Sequence, residues 1–194
     1  LQAAVDATNN IKKTEGRGHA QIALSYTLGD AYTLEYWTTM AKRIEEMGAD
    51  SICIKDMAGL IMPEAARELI TGIKKRVDIP VCLHTHSTSG IAPMSYQAAI
   101  EAGVDILDTA MSPFAGGTSQ PATESIVASL AGTARDTGIS LETLRTIKNE
   151  AVKVRGKYDC LIDGISMRID SDVLVYQLPG GMISNLVSQL KEQN

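Results

Sequence analysis

The stretch Met47-Gly48-Ala49-Asp50-Ser51-Ile52-Cys53-Ile54-Lys55-Asp56 decides how the chain is read. A helical pattern closes on a glycine, a short link follows, and a brief apolar run ends in two charged residues. Glycine just past a last helical turn is a C-cap. A short, unbroken apolar run between helices suits a parallel strand covered on both sides.

Outward from this stretch the same arrangement recurs. Apolar runs at Ile22–Ser25, Ser51–Ile54, Val81–Leu83 and Asp105–Leu107 follow one another at roughly 28 residues, close to the ~30 of a βα unit. Helical patterns occupy the intervals at Tyr32–Met47, Pro63–Val77 and Pro93–Ala102, and an amphipathic helix opens the chain. Three helix ends share a local phrase: Met-Gly-Ala-Asp at 47–50, Val-Asp-Ile-Pro at 77–80 and Ala-Gly-Val-Asp at 102–105. Strands alternating with helices, without hairpins, predict a parallel sheet, either a barrel or a doubly wound sheet. No G-x-G-x-x-G follows any strand, which disfavours a dinucleotide-binding fold.

From Pro121 onward the pattern is helical, at Ala122–Ala134, Leu141–Val154 and Val173–Gln193. A complete (β/α)8 barrel takes about 250 residues. The expectation is therefore an α/β fold of four βα units followed by a helical extension, which cannot close a barrel by itself: the missing strands lie upstream, or two sheet edges are exposed. The chain begins with Leu1 rather than Met, and the missing strands are expected upstream in a longer protein.

The 194 residues are 44% hydrophobic, enough for a substantial core. Net charge is -5, and the longest basic cluster is Lys74-Lys75-Arg76, so no footprint for nucleic acid is present. Cys53, Cys82 and Cys160 match no disulfide framework or zinc knuckle, and free thiols in a reducing compartment are expected. No apolar run reaches the roughly 20 residues of a membrane span, and no signal peptide is expected. A cytoplasmic location without direct membrane insertion is expected.

In parallel βα folds the strand C-termini form the reactive face. Here they carry Ser25-Tyr26-Thr27, Lys55-Asp56, His84-Thr85-His86 and Asp108-Thr109-Ala110. His84 and His86, two apart on a strand, share a face, and paired imidazoles suit a divalent metal. A hydrogen-bonded pair at the rim is the plainer alternative. Lys55 in a barrel mouth is costly unless paired or modified. It fits a Schiff-base lysine, a cation for a carboxylate substrate, or a carbamate that ligates metal, against a simple Lys55–Asp56 ion pair. In Gly116-Gly117-Thr118-Ser119-Gln120-Pro121 the glycines let backbone approach a ligand. The same residues also read as a helix cap, with Thr118 or Ser119 capping, Pro121 in the first turn and Glu124 reaching back.

Together, residues 54–60, 84–90 and 118–121 resemble the carboxyltransferase domains of biotin-dependent enzymes: oxaloacetate decarboxylase alpha subunit, pyruvate carboxylase and the pyruvate-handling transcarboxylase subunit. Gln177-Leu178-Pro179-Gly180-Gly181-Met182 through Asn185-Leu186 resembles the helical region after the barrel in that family. The resemblance implies a partial (β/α)8 TIM barrel, its last four βα units over 1–120, with the last barrel helix and a post-barrel helical extension over 121–194. It implies a divalent metal (zinc, manganese or cobalt) on His84, His86 and a carbamylated Lys55. A further aspartate ligand and the substrate-binding arginine and glutamine of the family are expected upstream. It also implies Thr118 as the proton relay between biotin and pyruvate, with Thr118 and Lys55 as catalytic and cofactor-binding residues. Biotin is expected on a separate domain or subunit, the substrates are pyruvate and oxaloacetate, and the protein is expected to be a homo-oligomer. The 194 residues alone are expected to be inactive. The competing readings are a Claisen-type lyase or synthase on a related barrel and an inert structural or assembly fragment.

Overall fold

The computed structural model describes residues 1–162, 164, 167–179, 182, 186, 189 and 190. It divides into two compact units, one of residues 1–56, 61–84 and 94–107, the other of residues 57–60, 85–93 and 108–194.

The first unit is built on four parallel strands in the order β1 (Gln21–Ser25), β2 (Ser51–Asp56), β3 (Val81–Thr85) and β4 (Ile106–Leu107). Preceding or linking them are α1 (Gln2–Glu15), α2 (Leu34–Glu46), α3 (Pro63–Lys74) and α4 (Ala92–Glu101). Every expected strand and crossover helix is present, within a few residues of its expected ends. The α/β class with a parallel sheet is thus established.

Strand parity sorts the side chains. On β1 the burial alternates, with Ile22 and Leu24 buried and Gln21, Ala23 and Ser25 exposed. Ile22 stands opposite Ile52 and Leu24 opposite Ile54. These residues belong to the buried core of this unit, with Val81, Leu83, Trp37, Ala41, Ile44, Leu69, Ile70, Ile73 and Tyr96 among its other members. Pro63 opens α3 at its first position, where the missing N–H costs nothing.

The shared phrase at the helix ends has an electrostatic cause. Asp50 accepts the Ala20 N–H at 2.8 Å and pairs with Lys12 of α1. Asp105 accepts the Val81 N–H at 2.8 Å and pairs with Lys74 of α3 at 2.7 Å. Each aspartate satisfies an amide at, or one residue before, the start of the neighbouring strand and ties a helix end to it. At 77–80 the device is inverted, and Glu45 of α2 accepts the Asp78 N–H at 2.6 Å. Gly48 and Gly103 take positive φ at the helix ends, as expected of C-caps.

The second unit gathers the segments that follow β2, β3 and β4, then α5 (Thr123–Leu130), α6 (Leu141–Gly156) and α7 (Val173–Tyr176). Two expectations are corrected here. Neither Thr118 nor Ser119 caps α5: the N-cap is Ala122, without a side-chain bond. The chain just before it is extended and pairs with Ala110, whose N–H donates to Pro121 and whose C=O accepts from Thr123. Glu124 does not reach back to a cap but accepts the Ser112 N–H and hydroxyl. The expected helix over Val173–Gln193 is also interrupted. Gln177 has φ 56 and ends α7, and Leu178 and Pro179 are not helical. Pro179 lacks the amide a helix needs and disfavours helix at the residue before it. Gly180, Gly181 and Asn185 of the late motif lie outside the described residues.

The Lys12 partner and then the Ala20 amide hold the Asp50 carboxyl below its ordinary 3.8. A depressed carboxyl contributes stability above its unfolded-state value and loses that contribution as pH falls through the folded value. The urea midpoint should therefore fall between pH 6 and pH 3, and fall less in Asp50→Asn. An equal fall in both proteins would show that the aspartate anchor adds nothing.

Candidate functional site

Parity also decides what the other sheet face carries. The Ile52 N–H donates to Pro80 at 3.0 Å, and the Cys53 and Cys82 sulfurs lie within 4.8 Å of each other. Cys53 therefore sits beside Cys82, and two residues further along Lys55 and His84 share the same face on adjacent strands. Ser25 stands opposite Lys55 on the other side. Lys55 and His84 are both half-buried, whereas Asp56, one residue on, is fully buried. Successive strand residues point to opposite faces, so Lys55 and Asp56 are turned apart rather than toward each other. The Asp56 carboxylate accepts the Ile61 N–H at 2.8 Å across the base of the 57–60 excursion.

Tyr26 follows β1, and its N–H donates to the Lys55 carbonyl at 2.8 Å. Its ring stacks on Trp37, centroids 5.7 Å apart, and Trp37 also meets Tyr32 and Tyr36. Burial, and then the negative charge of Asp56, push the Tyr26 hydroxyl above its usual range. Tyr26 thus stays a neutral phenol beside the end of β2.

The second unit brings together two of the other expected residues. β3 stops at Thr85, so His86 stands first in the following loop, half-buried. Strand parity therefore fixes the face of His84 but not that of His86. The next residue, Ser87, donates its N–H to the Ser119 carbonyl at 2.7 Å and forms an antiparallel bridge with Gly117. The Thr88 hydroxyl reaches the Gly117 carbonyl at 3.4 Å. Thr118 lies between the two residues that Ser87 engages, so His86 and Thr118 are carried by hydrogen-bonded neighbours. The turn that presents Thr118 is closed by Ser119 N–H to Gly116 and Gly116 N–H to Gln120, both at 2.9 Å.

The His86 loop also rests on residues 57–60 of the same unit. Ser89 donates its hydroxyl to the Gly59 carbonyl. Gly59 has φ +73, and a Cβ there would lie 2.6 Å from the His86 carbonyl oxygen. A cavity of about 360 Å³ borders the loop, lined among others by Ser87, Gly90, Gly116, Gly117, Ile126 and Ile169.

Sequence reasoning singled out Lys55, His84, His86 and Thr118 as candidates but not the contacts around them. The i, i+2 relation of Cys53 to Lys55 and of Cys82 to His84 was available as a signal. The clamp of Ser87 on Gly117 and Ser119 had none, because it joins two irregular loops.

A parallel α/β sheet with lysine and histidine side by side at the strand C-termini defines the class, and comparison with known proteins narrows it. The family model described as HMGL-like matches residues 1–151, and the chain belongs to that family. It is 51% identical to a pyruvate carboxylase subunit of Methanothermobacter thermautotrophicus over 97% of its length, covering 35% of that protein. It is 38% identical to the methylmalonyl-CoA carboxyltransferase 5S subunit of Propionibacterium freudenreichii subsp. shermanii, over 90% of this chain and 35% of the relative. Among solved structures, the carboxyl transferase domain from Rhizobium etli pyruvate carboxylase with pyruvate and biocytin superposes with a TM-score of 0.90 at 36% identity. That match covers 99% of this chain and 32% of the other. The chain thus spans about a third of the length of these relatives.

The close approach at Gly59 gives a direct test. Gly59→Ala places a methyl against immovable backbone and should cost about 1–3 kcal/mol in denaturant unfolding. Gly116, also at positive φ, has nothing within 4 Å of a Cβ, and Gly116→Ala should cost about 1 kcal/mol, from backbone conformation alone. Equal losses would contradict the packing of residues 57–60 against the His86 loop.

Proposed function

We propose that this chain supplies part of a biotin-dependent carboxyltransferase acting on pyruvate and oxaloacetate, with β1–β4 as the last four strands of a (β/α)8 barrel. The observation that carries the reading is the pairing of site residues: Lys55 beside His84 on one sheet face, and His86 and Thr118 on loops clamped through Ser87. It is supported by the similarity to the pyruvate carboxylase subunit of Methanothermobacter thermautotrophicus and to carboxyl transferase domains across nearly the whole chain.

The residues suit a divalent cation. Two imidazoles and one amine are borderline donors appropriate to zinc, cobalt or manganese. The amine becomes a ligand once it takes up CO2 as a carbamate, which replaces a positive charge with a negative one and removes the cost of an isolated ammonium. His84, His86 and carbamylated Lys55 would hold the ion. When bound, it supplies Lewis-acid polarisation of the keto-acid carbonyl.

The chain's own contribution to the reaction is Thr118. Carboxybiotin, carried on a separate domain, loses CO2 by cleavage of its N–C bond, which leaves an electron pair on the ureido nitrogen; the Thr118 hydroxyl oxygen then takes a proton from the methyl group of pyruvate while the hydroxyl proton passes to that nitrogen. The resulting carbanion bonds to CO2. Decarboxylation of oxaloacetate moves the same proton the other way. The turn closed by Gly116 and Gln120 holds Thr118 in place, so the relay needs no large rearrangement.

Two measurements test this reading. The 194-residue chain should bind about one equivalent of zinc or cobalt, and His84→Ala should abolish the binding; metal uptake unchanged by that substitution would remove His84 from the ligand set. In the complete carboxyltransferase with a biotinylated carrier, Thr118→Ala should lower transfer by at least about 100-fold with metal content unchanged. Retained turnover would reject the relay. Activity toward an acyl-CoA in place of oxaloacetate would favour a Claisen-type reaction instead.

A further inference from the structure

The HMGL-like match ends at residue 151, yet a segment beyond it touches the loop that carries His86. The Asp170 N–H donates to the Thr88 carbonyl at 2.8 Å. Thr88 is only 4% exposed, so its carbonyl lies where water does not substitute for a lost donor. Ile169 lies against Gly90: a Cβ on Gly90 would fall 3.1 Å from the isoleucine side chain.

This segment has its own internal brace. The Asp170 carboxylate accepts the Asp172 N–H at 3.0 Å and the Tyr176 hydroxyl. The hydrogen bond to Asp170 is the main reason the Tyr176 hydroxyl is pushed up to about 12, followed by burial and by the charges of Asp170 and Asp172. Tyr176 therefore remains a donor throughout the physiological range. Val173 of α7 is fully buried and anchors the segment. Leu174 is half-buried and Ile169, Tyr176 and Leu178 are exposed, so Val173 is the one fully buried side chain of α7.

We infer that Asp170 and Val173 are positioning residues: the segment after the HMGL-like region holds the backbone of residues 86–90, and through it His86, in place. The order of events is physical. Burial of Val173 fixes α7, α7 presents Tyr176 to Asp170, and the ordered Asp170 amide satisfies the buried Thr88 carbonyl. Within the loop, the Gly90 N–H to Ser87 carbonyl bond at 2.9 Å and the Ser87 N–H to Ser119 bond close the rest of the frame. The role of His86 as a ligand rests on the function proposed above, whereas the holding of the loop does not.

The test uses the full 194-residue chain, with amide hydrogen exchange resolved by residue. Val173→Ala should accelerate exchange at 86–90 and Asp170 by about tenfold, leaving the amides of β1 and β2 unchanged, and Val173→Ile should restore slow exchange. Tyr176→Phe, at a partly exposed position that leaves the core intact, should accelerate the same amides by a smaller factor. Zinc affinity measured on the same proteins should fall about tenfold in Val173→Ala, as for loss of a supporting contact behind a ligand. Unchanged exchange at 86–90 in both variants would overturn the inference, and so would equal acceleration throughout β1, β2 and the loop. Failure of the wild-type chain to bind zinc would instead sink the metal reading and leave the exchange result to decide the positioning role.

Discussion

The structure depends on the two-residue alternation of an extended chain, which fixes the sheet face that each side chain takes. Ile22, Leu24, Ile52, Ile54, Val81 and Leu83 are committed to the core. Once they are, residues of the other parity on β2 and β3 have no choice of face. Cys53 and Cys82 come together, and Lys55 and His84 follow two residues later. A one-residue slip of either strand would exchange the faces, placing Lys55 or His84 in the layer of Ile52, Ile54, Val81 and Leu83. The apolar core thus fixes the register that gives the polar face its chemistry.

The loops are governed differently. Residues 85–90 and the stretch from Gly116 to Gln120 have no apolar side chains to order them. Backbone amides and carbonyls hold them instead: Ser87 to Ser119, Gly116 to Gln120, Thr88 to Asp170. Such bonds are directional and individually worth about 1 kcal/mol net, so they define positions without adding much stability.

The same physics explains what is legible in the sequence. Strands and crossover helices announce themselves through apolar runs and periodicity, and β1–β3 and α2–α4 lie close to where the pattern puts them. The recurring aspartates are visible as a phrase, but their role is not, because an aspartate that ends a helix and one that accepts a strand amide read alike. The cap expected at Thr118 and Ser119 fails because pairing of residues 121–123 with Ala110 outcompetes a local helix start. The expected long final helix fails at Pro179, whose ring and missing amide outweigh the apolar periodicity around it. The motif residues Lys55, His84, His86 and Thr118 are legible as chemistry. Their grouping is legible only where strand parity applies, for Lys55 and His84, and not where loop hydrogen bonds decide.

The central claim is that Lys55, His84 and His86 converge on one cation. X-ray absorption of the cobalt-loaded chain, prepared with bicarbonate present, measures this directly. The account predicts scattering from two imidazoles and additional oxygen in the first coordination sphere, with one imidazole lost in His84→Ala and oxygen scattering reduced in Lys55→Ala. A spectrum without imidazole scattering, or one that neither substitution alters, would contradict it.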